Sequence, residues 1–335
     1  MLYPNQVLSN VKLTDRFTLI WTTNADTGHY MAIAKNGYVG ESAAFFPLWP
    51  LIIRILGSTP IMAKVLACFF SFLFIVFFVR LISLLGYSKI KEEIVLLFLA
   101  FPSSFLLTAP FSEPLFLSLS ALTFVLVEQK RYAAAALIAA LASAARPVGI
   151  VLTLYLALRL YGDGVKTLKK YWWTLLISPA GLLLYSAYLF ITFGKFTLFW
   201  SAQTSGWGRQ LGVASFIKLF RESMEVIGQV FGSYKPVPIN LLQVAVIPFS
   251  IFLSIIAFKK INKALWFFSM LMIIIPLSSG TYVASLREIL AAFPLFIPFG
   301  VFLTRRKTLF YLYLFSAILF QSLFLIRFLN YEWVF

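Results

Sequence analysis

Long apolar runs separated by short polar connections extend over most of this 335-residue chain. A segment inside a bilayer must satisfy its backbone hydrogen bonds internally, so apolar runs without two-residue alternation predict transmembrane helices. Hydrophobic residues make up 61% and charged residues 12% of the sequence, against about 45–50% and about 25% in soluble domains. A water-soluble fold is therefore excluded. We predict a single all-α polytopic membrane domain over residues 1–335.

The apolar runs predict about ten membrane spans. They lie near residues 60–85, 94–108, 112–127, 132–146, 148–161, 172–193, 240–258, 265–279, 288–303 and 309–328. Several contain only 15 or 16 residues, which is about 23 Å of helix against a hydrocarbon core of about 30 Å. We therefore expect short hairpins whose tips lie slightly below the outer membrane surface.

Five polar connections are rich in basic residues, and the positive-inside rule assigns all of them to the cytoplasm. They contain Lys89 and Lys91, Lys130 and Arg131, Lys166, Lys169 and Lys170, Lys259, Lys260 and Lys263, and Arg305, Arg306 and Lys307. The net charge of +16 is therefore attributed to topology and anionic lipid, and no nucleic-acid partner is expected. By parity, the extracytoplasmic side receives the hairpin tips at 110–114, 146–149 and 287–288, the N-terminal segment up to residue 59, and the long connection 194–239.

Isolated charges thus converge on one predicted extracytoplasmic cavity. Glu113, Arg146 and Arg287 lie at the three hairpin tips, and ionisable groups at membrane depth are costly enough to be functional candidates. Glu113 is also explained as the start of the next span, and the two arginines as snorkelling anchors. Their alternative role is to bind a phosphate, to which a guanidinium offers planar, charge-assisted donors. Arg209 is either a further cation of this cavity or part of an interfacial aromatic loop.

The first polar stretch contains a second group of candidates. Residues 27–35 predict a short amphipathic helix at the interface, with Tyr30 toward lipid or the core. Asp26 would lie at its start, as a helix N-cap or as a general base, and these two roles are compatible. His29, the only histidine, cannot form a triad or a zinc site alone. We expect it to orient Asp26 or to hydrogen-bond a ligand.

Three common features are not expected from this sequence. Residues 1–21 contain several charged and polar side chains, which argues against both a signal peptide and a membrane span there. Cys68 is the single cysteine, so an intrachain disulfide cannot form. The sequence also contains no cluster of carboxylates of the kind that holds a divalent metal.

Several short motifs follow one another between residue 24 and about residue 300. They are Asp26-x-x-His29-Tyr30 with Ile33-Ala34 and Gly37-Tyr38, Ala44-Phe45-Phe46-Pro47-x-x-Pro50-Leu51, Phe101-Pro102, Phe111-Ser112-Glu113-x-Leu115-Phe116, Ala142 to Arg146 with Gly149-Ile150, and Arg287 before Ala292-Phe293-Pro294-Leu295-Phe296. As an ordered set, this series resembles the second mannosyltransferase of GPI assembly (PIG-V) and its prokaryotic relatives.

That family belongs to the C-type glycosyltransferases (GT-C), so the resemblance implies a multi-span enzyme that uses a lipid-linked phosphosugar donor on the lumenal or periplasmic face. It also implies a catalytic acidic residue in the first extracytoplasmic loop, here residues 24–59, and the matching position is Asp26. The family has a transmembrane helix before this loop, whereas nothing before Trp21 is apolar enough to form one.

The resemblance therefore implies a membrane glycosyltransferase, and we expect it to move a sugar from a polyprenyl or dolichyl phosphate to a lipid, glycan or protein acceptor by inverting displacement. Mannose as the sugar follows from the resemblance. The hypothesis assigns Asp26 as the base, Arg146, Arg287 and Arg209 as ligands of the donor phosphate, and His29, Glu113 and Tyr30 as sugar-binding, acceptor-binding or supporting residues. A lipid phosphate already leaves as an anion, so neither a metal nor a cofactor is required.

Two other functions remain compatible with these features. A transporter or lipid flippase also places charges between helices, and it would favour paired inverted halves with broken helices. A non-catalytic membrane scaffold would tolerate the change Asp26→Asn. The compact loops favour a prokaryotic plasma membrane over the endoplasmic reticulum membrane.

Overall fold

The protein is all-helical in a computed structural model that describes residues 26–209, 212–232 and 238–330, so this prediction is confirmed. Among these residues, four helices are long and apolar enough to cross a membrane, or five if a bent pair counts as one span. Shorter apolar helices of 10–17 residues accompany them. The chain is thus compatible with an integral membrane protein. The expectation that residues 1–21 form no span lies outside the described residues.

The helices follow one another with short connections. The first part of the chain forms α1 (Asp26–Asn36), α2 (Leu48–Ile55), α3 (Pro60–Leu84), α4 (Lys91–Ala100), α5 (Glu113–Glu128), α6 (Tyr132–Ala145), α7 (Val151–Gly162), α8 (Val165–Tyr171), α9 (Thr174–Ile177) and α10 (Ala180–Phe193). The second part forms α11 (Leu198–Trp207), α12 (Val213–Gly232), α13 (Pro238–Ala257), α14 (Lys263–Leu277), α15 (Ser285–Glu288), α16 (Phe296–Thr304) and α17 (Lys307–Leu329). Short 3₁₀ segments are Gly40–Ala44, Ser88–Ile90, Ser104–Thr108, Pro147–Ile150 and Ile289–Leu295.

Helical structure occupies each of the ten apolar runs, but two of the runs are interrupted. The run 94–108 breaks at Phe101-Pro102, and the run 172–193 breaks before Pro179. The run 288–303 begins with the 3₁₀ segment that contains Pro294 but remains part of the continuous span Ser285–Thr304. Proline lacks an amide hydrogen and its ring clashes with the preceding turn, so the runs 94–108 and 172–193 are divided instead of forming the single helix that apolarity alone suggests.

The helix α3 shows why the apolar runs fold locally as helices. Pro60 occupies its first turn, where the missing amide hydrogen costs nothing, and the Thr59 hydroxyl accepts a hydrogen bond of 3.3 Å from the Met62 amide. One face of α3 buries Phe74 and Phe78. Other faces leave large apolar side chains exposed, as expected of a helix that contacts lipid.

The helix α5 lies at the centre of the molecule and is buried over most of its length. It packs against α3 on one side and α6 on the other. The core around α5 is aromatic, with Phe124 edge-to-face against Phe268 at 4.9 Å and Phe78 edge-to-face against Phe293 at 5.2 Å between ring centroids. Such offset pairs add to the hydrophobic term and fix the helices in register.

Several of the connections predicted to be cytoplasmic contact one another at one end of the helices. Glu128, beside the basic pair at 130–131, forms an ion pair of 3.0 Å with Arg159 and accepts a hydrogen bond of 3.1 Å from Asn262. The Tyr87 hydroxyl donates to the carbonyl of Lys260 at 2.6 Å. These contacts bring the turns after α3, α5 and α13 to the same end, where α7 also terminates.

The long connection 194–239 is largely helical in its described part. Gly194 adopts a left-handed conformation with φ of 73° after α10, which glycine accepts without steric cost. The following helix α11 turns by 81° relative to α10. Gln203 of α11 donates a hydrogen bond of 3.4 Å to the carbonyl of Ala44. The bend therefore returns α11 to the N-terminal segment.

We expect the change Gly181→Ala to destabilise the fold, because Gly181 lies directly against the backbone of α6. A Cβ atom there would overlap the carbonyl oxygen of Ala140 and lie 2.6 Å from the amide nitrogen of Ala144. Forcing atoms into a packed interface typically costs about 1–3 kcal/mol. The melting temperature of the protein in detergent should fall. The control is Gly162→Ala at the end of α7, where no neighbouring atom lies within 4 Å, and an equal effect of both changes would contradict this packing.

Candidate active site

A cavity of about 330 Å³ lies at the end of the molecule where the predicted hairpin tips meet. This is the size of a typical small-molecule site, which is about 300–1,000 Å³. Its walls come from α1, the segment after Gly40–Ala44, the tips before α5 and after α6, α11, and the stretch from the end of α14 to α15. The lining residues used below are Asp26, Tyr30, Phe45, Phe46, Ser112, Arg146, Phe199, Trp200, Gln203, Arg209, Arg287 and Glu288.

Six charged side chains form an alternating chain of ion pairs at this cavity. In order, they are Asp26, Arg287, Glu113, Arg146, Glu288 and Arg209. Three carboxylates alternate with three guanidiniums, so their formal charges cancel. We call this set the charge chain. Its members come from five separate places in the sequence, because Arg287 and Glu288 are neighbours.

The charge chain is tightest around Glu113. One oxygen of Glu113, Oε1, accepts from both Arg146 Nη1 and Arg287 Nε. Glu113 is 3% exposed, and a buried carboxylate is costly unless it is paired. Its other oxygen, Oε2, is buried without a hydrogen-bond partner among the described residues. The cost of burying the Glu113 carboxylate therefore explains why two arginines lie against it.

The outer members of the charge chain lie closer to the cavity opening. Arg287 Nη2 lies 2.5 Å from Asp26 Oδ2. Arg146 Nη2 contacts Glu288 Oε2 at 3.1 Å, and Arg209 Nη1 lies 3.6 Å from Glu288 Oε1. The side chain of Asp26 is 21% exposed and that of Arg209 is 29% exposed, against 4% for Glu113. A ligand in the cavity would thus reach these two ends first.

Backbone features hold Arg287 in place. The short helix α15 begins after Ala284, which has a left-handed φ of 69°. Gln243 of α13 accepts a hydrogen bond of 3.0 Å from the Leu286 amide through its side-chain oxygen. Ser103 donates to the carbonyl of Leu286 at 2.6 Å. The guanidinium of Arg287 also lies 4.8 Å from the centre of the Phe111 ring, and this cation–π contact helps to hold it in position.

Arg146 is positioned by the tight turn after α6. It is the first residue beyond the helix and has an extended backbone. Gly149 follows so closely on α6 that a Cβ atom would lie 2.5 Å from the carbonyl oxygen of Ala142. Only glycine allows the chain to turn here without displacing α6, and this turn directs Arg146 back toward Glu113.

The helix α1 begins at Asp26 and lies over the tip that precedes α5. The Tyr30 hydroxyl donates a hydrogen bond of 2.9 Å to Ser112 Oγ. Tyr30 packs edge-to-face against Phe45 with centroids 5.1 Å apart. As predicted, the helix buries Tyr30. Because Asp26 lies one turn before Tyr30, this anchor also fixes Asp26 beside Arg287.

Aromatic side chains form much of the remaining wall. Phe46 contacts Phe199 of α11 edge-to-face at 5.5 Å, and Tyr185 at 4.9 Å. Trp200 of α11 also faces the cavity. The site thus combines a charged wall with an apolar, aromatic one. That combination suits an amphiphilic ligand.

The structure brings Asp26, Glu113, Arg146, Arg287 and Arg209 into one connected set and places Tyr30 beside them. His29 differs, since it is exposed and lies outside the cavity lining. Its ring stacks on the ring of Phe45 with centroids 4.6 Å apart. If His29 helps to orient Asp26, as the sequence suggests, it would do so by fixing the position of α1 against Phe45.

Two residues of the site were not predicted as candidates. Glu288 bridges Arg146 and Arg209, and a charge pair at 287–288 inside an apolar run was the available signal. Gln203 lies among the small and polar residues 201–205 of α11, within the connection 194–239 that is predicted to lie on the cavity side. Among the described residues, no group of three His, Cys, Asp or Glu side chains is arranged to hold a metal.

Comparisons with known proteins leave this site to be interpreted from its own chemistry. No family model matches the chain, and no curated protein or solved structure shows a significant match. The order of motifs and the geometry of the charge chain are therefore the basis for a functional proposal.

We expect Glu113→Gln to destabilise the protein strongly. The change removes the charge between two arginines, and breaking a buried ion network typically costs about 3–5 kcal/mol. The matched control is Glu225→Gln, whose ion pair with Arg221 is 3.9 Å long and exposed and should contribute less than about 1 kcal/mol. Melting temperatures in detergent compare the two. Equal melting temperatures would show that Glu113 does not hold the charge chain together.

Proposed function

We propose that the protein is a membrane glycosyltransferase that moves a sugar from a polyprenyl phosphate to an acceptor hydroxyl. The observation that carries this proposal is the charge chain, which brings Asp26 and three arginines to one cavity. Transfer from a lipid phosphate needs a base near the attacking hydroxyl and cations near the leaving group. Asp26 and the three arginines line the same side of the cavity, so the base and the cations would lie next to each other.

The proposal includes a GT-C-like membrane arrangement with about ten spans. It is supported by helical structure at each of the ten apolar runs and by the contacts among several basic turns. The positive-inside rule then makes the cavity end extracytoplasmic. Helices of 14 or 15 residues, such as α6 and α14, reach about 21–23 Å. Tips below the membrane surface would allow a lipid phosphate to enter from the outer leaflet.

The reaction that fits this geometry is a single displacement. The acceptor oxygen attacks the anomeric carbon as the bond from that carbon to the phosphate oxygen breaks. The bonding electron pair leaves with the polyprenyl phosphate, and the acceptor proton passes to Asp26. The product is a glycoside of inverted configuration. Arg146, Arg287 and Arg209 would stabilise the negative charge that develops on the leaving phosphate.

The ion pair between Asp26 and Arg287 is compatible with a catalytic base. A carboxylate is a weaker base than an alkoxide, but the acceptor hydroxyl becomes strongly acidic once its oxygen has begun to bond to the anomeric carbon. A weak base is sufficient for such a late proton transfer. Arg287 would at the same time orient Asp26 and contact the donor phosphate.

The aromatic wall and the exposed helix faces suit the rest of the donor. Phe46, Phe199 and Trp200 offer flat apolar surfaces to the ring of a sugar. The apolar outer surfaces of the helices would hold the prenyl chain. We propose mannose as the sugar on the motif resemblance, with a lipid, glycan or protein acceptor. No cofactor takes part in the proposed reaction, and a prokaryotic plasma membrane is the proposed location.

A lipid flippase or transporter is the second candidate. Interrupted helices with charged groups between them favour it, and this chain has interruptions at Pro102 and Pro179 and the bend between α10 and α11. Sugar transfer and lipid movement are separable by assay. The proposal of a transferase depends on Asp26 as a chemical group, whereas a transporter would not need a base at that position.

We predict that Asp26→Asn lowers sugar transfer by at least about 100-fold, as expected for loss of a general base. Membranes that contain each variant would be incubated with radiolabelled polyprenyl-phosphate sugars, and the lipid and protein fractions would be extracted and counted. Glu41→Gln, at an exposed acidic residue of the same segment, should keep full activity. Full transfer by Asp26→Asn would refute the base. Label in no fraction with the unmodified protein would refute the transferase.

We predict that Arg209→Gln raises the KM for the donor about tenfold, because the donor loses the binding free energy of one charge-assisted hydrogen bond. Arg209 is partly exposed at one end of the charge chain, so the melting temperature should change little. Arg221→Gln removes the same charge from an exposed position of α12 and should leave the KM unaltered. If both changes raise KM equally, only the overall charge attracts the donor.

A further inference from the structure

A second cavity, of about 710 Å³, lies at the opposite end of the molecule. It is formed by the end of α13, the turn into α14 and the end of α16. Four cations lie around it, and we call it the basic groove after Lys259, Lys260, Arg305 and Arg306. It shares no lining residue with the candidate active site. The basic groove is therefore a separate feature.

The walls of the basic groove are apolar and well packed. Trp266 donates a hydrogen bond of 3.0 Å to the carbonyl of Ser254, which joins α14 to α13. Phe258 packs edge-to-face on Trp266 at 5.2 Å, and Phe252 packs on Phe302 at 5.6 Å. These contacts fix the three helix ends around the open space. The space is thus part of the helix arrangement and not a gap between loose turns.

The cations of the basic groove differ from those of the charge chain. Among the described residues, no carboxylate lies within 4.0 Å of the four cations. The guanidinium of Arg306 instead lies 4.1 Å from the centre of the Phe302 ring. The arginines of the charge chain each contact a carboxylate, and Arg159 at this same end contacts Glu128. The basic groove thus has four like charges that an anion would stabilise.

The apolar surface beside these cations indicates what kind of anion fits. Ile255 is 70% exposed on α13 and lines the groove, together with Val301 and Phe302 of α16. A small soluble anion would leave this apolar surface uncovered. A membrane amphiphile would cover it with acyl chains and would place its phosphate among the cations. Basic pockets between helix ends at the cytoplasmic leaflet are known to hold anionic headgroups.

We propose that the basic groove binds an anionic phospholipid of the adjacent leaflet. Its phosphate diester would lie between Lys259, Lys260 and Arg305, and its acyl chains along Ile255 and Val301. The same helices reach the candidate active site, because α13 carries Gln243, which accepts from the backbone of α15. A lipid that joins α13 to α16 at one end would therefore stabilise the support of Arg287 at the other.

The test uses the full chain, purified and delipidated in detergent, with phosphatidylglycerol and phosphatidylcholine as probes. We expect phosphatidylglycerol to raise the melting temperature and to remain bound in native mass spectrometry, whereas phosphatidylcholine does neither. The triple change Lys259→Gln, Lys260→Gln and Arg305→Gln should weaken phosphatidylglycerol binding about 100-fold, since each cation near a headgroup contributes roughly tenfold or less.

The matched control removes three exposed lysines from α8, which is also predicted to be cytoplasmic. It combines Lys166→Gln, Lys169→Gln and Lys170→Gln and should bind phosphatidylglycerol normally. If it loses binding equally, the attraction is a general charge effect and the groove proposal is overturned. The proposal is also overturned if inorganic phosphate gives the same stabilisation, or if a polyprenyl phosphate displaces phosphatidylglycerol from the unmodified protein.

A second variant tests the groove with its charges intact. Val301→Trp would fill the apolar space and leave all four cations in place. We expect it to lose phosphatidylglycerol binding while it elutes as a folded protein in gel filtration. Normal binding by a folded Val301→Trp protein would show that the acyl chains do not occupy the groove, and would refute the proposal.

Discussion

The burial of one carboxylate determines much of the architecture around the cavity. Glu113 lies almost fully buried at the start of the central helix α5, where a lone negative charge would be very costly. Two guanidiniums on its Oε1 atom reduce that cost, and they come from tips far apart in the sequence. Because Arg146 and Arg287 both contact Glu113, the turn after α6 and the helix α15 lie next to the start of α5. Asp26 and Glu288 then join through the remaining donors of these arginines.

The sequence was informative where one physical rule dominates. Apolar runs become helical because the backbone must form its hydrogen bonds internally. The positive-inside rule and the parity of membrane crossings predict that Glu113, Arg146 and Arg287 share one side. It was less informative where several rules compete. Proline divides runs that are uniform in hydropathy. The ion pairs of Glu288 with Arg146 and Arg209 depend on the exact rotation of α15. The position of His29 outside the cavity likewise depends on how α1 packs, which periodicity over eleven residues does not determine.

The two cavities differ in how their cations are paired. Every arginine of the charge chain contacts a carboxylate, so an anionic ligand there would compete with an existing partner. At the basic groove the four cations have no such partner among the described residues, and an anion could bind without displacing one. Paired cations suit a substrate that must leave after each turnover. Unpaired cations beside an apolar surface suit a ligand that stays.

The sharing of Arg287 has a kinetic consequence. One planar group contacts both Asp26 and Glu113, so a donor phosphate that recruits Arg287 would also alter the hydrogen bonding of Asp26. In the proposed reaction the carboxylate would thus become available to an acceptor only after the donor has arrived. Such an arrangement would enforce sequential, ordered addition and would limit wasteful attack by water on an activated sugar.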